Sequence, residues 1–234
     1  MITIKNGIFG YNKPSVLENV EINIKKGDLV ALVGENGSGK STILKTLAGI
    51  IPLQGGQIFI NNQNYDSYSL KELATQISIV LSTQPFIPNI KVKDLIGLTS
   101  KVSFNKNEIK VTEKKAMEWL QITDIQNKYC TSLSDGQLQR VFIARALAQD
   151  TPIILFDEPS SHLDINHKYN LYNLFIHLTQ KLDKTILFST HDLKNVSEFI
   201  CNFIAIKQNK LSIEASVSED FFLAENSSIC KSFE

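Results

Sequence analysis

Through roughly the first sixty residues, apolar and polar positions alternate in short runs, "MITIKNGIF", "LENVEINIKKG" and "GGQIFINNQ", broken by Gly, Asn and Pro. A period of two buries one face of a strand, so these runs predict a small, partly antiparallel sheet. After "DLVALVG" the pattern changes: "ALV", "IILF" and "TILFS" are apolar throughout, and each is followed by a helical stretch. Strands apolar on both faces and alternating with helices predict a parallel sheet with helices packed on it, an α/β fold whose chemistry lies at the carboxyl ends of the strands. From Pro85 to Gln149 the strand patterns stop and helical ones take over, in "NEIKVTEKKAMEWLQI" and "SDGQLQRVFIARALAQ". The chain is therefore expected to be one domain, with residues 1–84 and 150–234 forming the core and its β subdomain, and residues 85–149 an inserted helical subdomain. Leu171, Leu174, Phe175, Leu178 and Leu182 recur at helical spacing, an amphipathic helix between two buried strands. The tail after Lys207 is weakly patterned.

Composition narrows the function by exclusion. Lys plus Arg and Asp plus Glu both number 24, so the formal net charge is zero and no basic field gathers nucleic acid. Cys130, Cys201 and Cys230 are far apart and show no CxxC spacing, which argues against a disulfide framework and a zinc site and for a cytosolic chain. No window approaches the length of an apolar membrane span, and "MITIKNGIFGYN" lacks the features of a signal peptide, so any membrane role is expected to run through a partner.

The strongest chemical signal is "GENGSGKST". It follows the strand "LVALV" and precedes the helical "ILKTLAGI", matching G-x-x-x-x-G-K-[ST] in the strand–loop–helix context that the motif requires. Gly34, Gly37 and Gly39 permit the backbone angles that turn successive N–H groups inward, and the helix aims its positive end at the same point. The nucleotide contacts expected are Gly34, Glu35, Asn36, Gly37, Ser38, Gly39, Lys40, Ser41 and Thr42, with Lys40 on the β- and γ-phosphates of ATP and Ser41 on Mg²⁺. The competing reading, a Gly-rich turn matched by chance, leaves the context unexplained. In "IILFDEP" a carboxylate at the end of an apolar strand wants a cation or donors, which makes Asp157 a second Mg²⁺ ligand and Glu158 the base that polarises the attacking water. "STHDL" ends the next buried strand and offers His191. A lone His is as readily structural, but beside a nucleotide site it can bond the γ-phosphate.

"LSDGQ", residues 133–137, reads alone as a capped helix start, with Ser134 at the N-cap and Asp135 favoured by the helix dipole. Together with the phosphate loop, the Asp-Glu pair and the late His, it resembles the signature "LSGGQ" of ATP-binding cassette (ABC) proteins, with Asp135 in place of the first glycine. The resemblance extends over nearly the whole chain. It implies a P-loop NTPase core with an N-terminal antiparallel β subdomain and an inserted helical subdomain, and ATP hydrolysis with Mg²⁺. It also implies a head-to-tail dimer in which Ser134, Gly136 and Gln137 face the phosphate held by the second copy, Asp135 pointing away. Tyr11 in "FGYNKPSVLENV" resembles the aromatic that stacks on adenine, and "SSHLD", ending at Asp164, the D-loop at the dimer seam. The family's Q-loop glutamine follows a strand that here is "ISIVL". Counting along the strand puts Thr83 at its place and Gln84 one residue later, and the expectation is that Gln84 faces the nucleotide and Mg²⁺. "PSSHLDINHKYN" and "STHDL" look most like the ATPase subunits of importers for iron-siderophores, heme or cobalamin, bound to a membrane permease on the cytoplasmic face. The alternative is a soluble cassette with an assembly role, as in iron–sulfur cluster assembly.

Overall fold

The structure, a computed structural model, describes residues 1–11, 15–99, 111–191, 202–206 and 215–217. Two sheets form it. In the first, β1 (Ile2–Phe9) pairs antiparallel with β2 (Leu17–Ile24) and with β4 (Gly55–Ile60), and β5 (Gln63–Asn64) closes the edge, giving the order β2-β1-β4-β5. Its alternation is the one the sequence carries: Leu17, Val20, Ile22 and Ile24 of β2 are buried, and the residues between them are exposed.

In the second sheet β6 (Ile77–Val80), β7 (Ile153–Asp157), β8 (Thr185–Thr190), β3 (Leu29–Gly34) and β9 (Asn202–Ile206) run parallel, and β10 (Ala215–Val217) adds an antiparallel edge, in the order β10-β9-β3-β8-β7-β6. Successive side chains point to opposite faces of a strand, so each parallel strand feeds two cores. Val30, Leu32, Leu155 and Leu187 pack toward the antiparallel sheet and α1 (Lys40–Leu47), while Ala31, Val33, Phe156 and Phe188 pack toward the helices on the other side. This is why the parallel strands read as unbroken apolar runs.

The remaining helices are α2 (Leu70–Gln76), α3 (Val92–Gly97), α4 (Glu113–Trp119), α5 (Asp135–Ala148) and α6 (Ile165–Leu182). The predicted helix from Asn107 begins outside the described residues, and its described part is α4. Helix α6 carries the amphipathic pattern as expected, burying Leu171, Leu174, Phe175 and Leu178. Beneath the strand ends Phe156 stacks on Phe175 at 4.6 Å between ring centroids, and Phe175 meets Phe188 at 5.6 Å. Such pairs add about 0.5–1.5 kcal/mol each beyond their burial. They fix the two strands whose next residues are Asp157 and Ser189.

Candidate active site

The loop from Gly34 to Gly39 joins β3 to α1 at the carboxyl edge of the parallel sheet. Gly37 (φ 82°) and Gly39 (φ 101°) take left-handed backbone angles, which open the turn. At Gly39 a Cβ would also lie 2.6 Å from the Leu17 side chain. Gly39 at the N-cap has no side chain to offer the first N–H groups of α1, and the dipole favours an anion there. Ser38 Oγ is buried in the same cradle and has no hydrogen-bond partner among the described residues. A buried hydroxyl without a partner is costly unless a ligand satisfies it, and a phosphate oxygen is the acceptor this loop is shaped for.

Lys40, 5 % exposed, folds its Nζ back over the loop and donates to the carbonyls of Gly34 (2.7 Å) and Glu35 (2.9 Å). Burial holds its ammonium below the ordinary lysine value, while the charges of Glu158 and then Asp157 pull it back up. Thr42 is buried, and Glu35, Asn36 and Gly37 are exposed along the loop.

Asp157 is wholly buried at the end of β7 and gathers three hydroxyls. Ser41 Oγ and Ser189 Oγ both donate to Oδ1 at 2.7 Å, and Ser82 Oγ donates to Oδ2 at 3.0 Å. Ser41 spends its proton on the carboxylate, which leaves its lone pairs for a cation. A hydroxyl and a carboxylate together are hard oxygen donors, the set that Mg²⁺ takes when it shares its shell with phosphates.

Ser189 also accepts from the Glu158 backbone N–H at 2.9 Å, so one hydroxyl fixes both acids. Glu158 sits at φ 50°, a left-handed angle uncommon for a non-glycine residue. Its Oε2 is 2.9 Å from His191 Nδ1. The structure thus brings Lys40, Ser41, Asp157, Glu158 and His191 to one sheet edge. Ser82 and Ser189 belong to the site and were missed from the sequence, since a serine at a strand end carries no signature of its own.

In the segment after β6, Ser82, Thr83 and Gln84 take different surroundings. Ser82 makes its contact with Asp157, whereas Thr83 is exposed. Gln84 turns its amide to the Leu81 carbonyl and, at 3.2 Å, to Gln139 of α5.

Ser134 caps α5 in a reciprocal box. Its Oγ accepts from Gln137 N–H at 3.3 Å, and Gln137 Oε1 accepts from Ser134 N–H at 3.2 Å. Both Ser134 and Asp135 are exposed. Gly136 lies against the segment that leads into α6: a Cβ there would sit 2.7 Å from the His162 carbonyl oxygen. Asp164 caps α6, accepting from the His167 N–H at 2.9 Å and pairing with His167 Nδ1 at 2.7 Å. These bonds hold its carboxyl below the usual range. Tyr11 is 55 % exposed, and Lys45 reaches its hydroxyl at 3.2 Å. It lies beside α1, with the Lys45 Nζ over its ring at 5.8 Å from the centroid.

Comparison with known proteins identifies the family. A family model described as "ABC transporter" matches residues 17–161, more than half of the chain. The petrobactin import ATP-binding protein YclP of Bacillus subtilis is 32% identical over 95% of this chain and 92% of its own length. The ferric enterobactin transport ATP-binding protein FepC of Escherichia coli is 31% identical over 90% of this chain and 79% of its own. Among solved structures, the dimeric post-hydrolysis state of the ATP-binding cassette MJ0796, bound to ADP and Pi, superposes with a TM-score of 0.78. It is 29% identical, and the match covers 92% of this chain and 97% of that one. This chain belongs to the ABC transporter family and is one of its ATP-hydrolysing cassettes.

Proposed function

We propose that the chain is the motor of an importer for ferric siderophores, working as a head-to-tail pair beneath a membrane permease on the cytoplasmic face. Among the described residues no helix is long and apolar enough to cross a membrane, so the channel belongs to a partner. Among iron-siderophores, heme and cobalamin, the names of the relatives above, petrobactin and ferric enterobactin ATP-binding proteins, support iron-siderophores as the cargo. The observation that carries the reading is the convergence of the Ser41–Asp157 and Glu158–His191 pairs at the ends of neighbouring strands, facing the start of α1.

Hydrolysis follows from that arrangement. The loop amides, Ser38 and Lys40 hold the β- and γ-phosphates. Mg²⁺ held by Ser41 and Asp157 would neutralise phosphate charge as the bond to the leaving oxygen breaks. His191 occupies Glu158 Oε2 and leaves Oε1 for a water. Glu158 takes a proton from that water as its oxygen bonds the γ-phosphorus in line, and the β–γ bridging bond breaks to release ADP and phosphate. Ser134, Gly136, Gln137 and Asp164 form the half-site offered to the second copy, Tyr11 takes the adenine face, and the residues from Gln84 to Leu98, with Phe86 82 % exposed, meet the permease.

The test is ATP turnover by the purified chain and by Glu158→Gln. That variant keeps the Mg²⁺ ligands and loses the base, so turnover falls by about 10² or more while ATP still binds and traps a dimer. Continued hydrolysis by a monomeric Glu158→Gln chain overturns the mechanism. A polytopic membrane protein should co-purify from detergent-solubilised membranes; recovery of soluble assembly proteins alone would favour the assembly role.

A further inference from the structure

Gln139 is a polar residue in an apolar setting. It lies on α5, one turn beyond the Ser134 cap, and is 1 % exposed, between neighbours on the helix such as Val141 and Phe142 that serve the core. A buried amide keeps its place only if its polar atoms are satisfied, and both of these are. Oε1 accepts from Gln84 Nε2 at 3.2 Å, and Nε2 donates to the Pro159 carbonyl at 3.4 Å. One partner lies on the segment that leaves β6 just after Ser82, whose hydroxyl touches Asp157. The other is the carbonyl of Pro159, the residue after Glu158, which is itself held at a left-handed angle.

We propose that Gln139 is a positioning residue for hydrolysis, tying the helix that opens with Ser134 to the Gln84 segment on one side and to the backbone carrying Glu158 on the other. The inference rests on the assignment of Glu158 as the base. A shift of α5 relative to the sheet is transmitted by a single side chain to both edges of the reacting centre. A leucine or methionine of similar volume would fill the same space and transmit nothing, so packing alone does not account for a glutamine here.

The experiment compares Gln139→Met, Gln84→Met and the double variant in the full chain, measuring kcat and KM for ATP, equilibrium ATP affinity and thermal unfolding, with Glu158→Gln in parallel. The expected result is a kcat about 10-fold lower in Gln139→Met, with ATP affinity within about 2-fold of the parent, since the phosphate loop is untouched. The double variant should be no slower than Gln139→Met, because the two side chains act as one link. A normal kcat for Gln139→Met beside an inactive Glu158→Gln overturns this inference alone, and so do equal losses in kcat and affinity. Full turnover by Glu158→Gln overturns both it and the reading beneath it. If Gln139→Met does not fold, Gln84→Met decides: a lowered kcat at unchanged ATP affinity supports the link, and an unchanged kcat overturns it.

Discussion

Ser189→Ala removes one oxygen and disturbs both acids. The Ser189 hydroxyl is wholly buried, donates to Asp157 Oδ1 at 2.7 Å and accepts from the Glu158 N–H at 2.9 Å. A hydrogen bond to a charged group contributes about 1.5–3 kcal/mol, and leaving a buried N–H without a partner costs about 1–3 kcal/mol more. The expected loss of stability is their sum, about 2.5–6 kcal/mol. Ser82→Ala, by contrast, removes a single bond to the Asp157 carboxylate and strands no N–H, so it should cost only the first of these terms, about 1.5–3 kcal/mol. Urea unfolding measures both: with a slope of about 1–3 kcal/mol per molar, the Ser189 change should move the midpoint down by about 1 M or more. Turnover should fall further than stability predicts, because Glu158 loses the bond that fixes its backbone. Equal, small midpoint shifts for the two variants would refute the view that Ser189 holds the Asp-Glu pair in place.

Gly136→Ala should leave the fold intact at a cost of about 1–3 kcal/mol from overpacking against the His162 carbonyl, yet weaken ATP-dependent dimerisation in sedimentation measurements, since the shift falls on the segment ahead of Asp164. Asp135→Gly should be tolerated, at about 0.3–1 kcal/mol through the helix dipole, whereas Ser134→Arg should block dimer closure; equal effects would reduce the stretch to a helix cap. Burial lowers the folded-state pKa of Lys40 below its unfolded value of 10.5, so the unfolded chain binds more protons and stability rises with pH across that alkaline window. Bound phosphates favour the ammonium, so ATP binding in the same window should take up a proton, seen by calorimetry in buffers of different ionisation enthalpy.

The phosphate loop was legible in the sequence because its requirements are local. A Gly-Lys-Ser run between a strand and a helix forms the same nest wherever the core allows it, and the alternation of β2 and the apolar runs of β3, β7 and β8 fixed the two sheets in the same local way. "LSDGQ" was legible at two levels, as a helix cap from its own residues and as a signature only by resemblance. What the chain could not announce was which distant residues meet. Ser82, Ser189 and Gln139 are ordinary letters in their own segments; the pairing of β6 with β7 and of β7 with β8 carries Ser82 and Ser189 to Asp157, and the packing of α5 on the sheet brings Gln139 to Pro159. The offset at Thr83 and Gln84 was a question of register at the end of β6, and counting residues did not answer it. What the tertiary structure decides is which neighbours these residues meet, Ser82 joining Asp157 and Gln84 joining Gln139, because a buried carboxylate takes the hydroxyl that the strand's end presents to it.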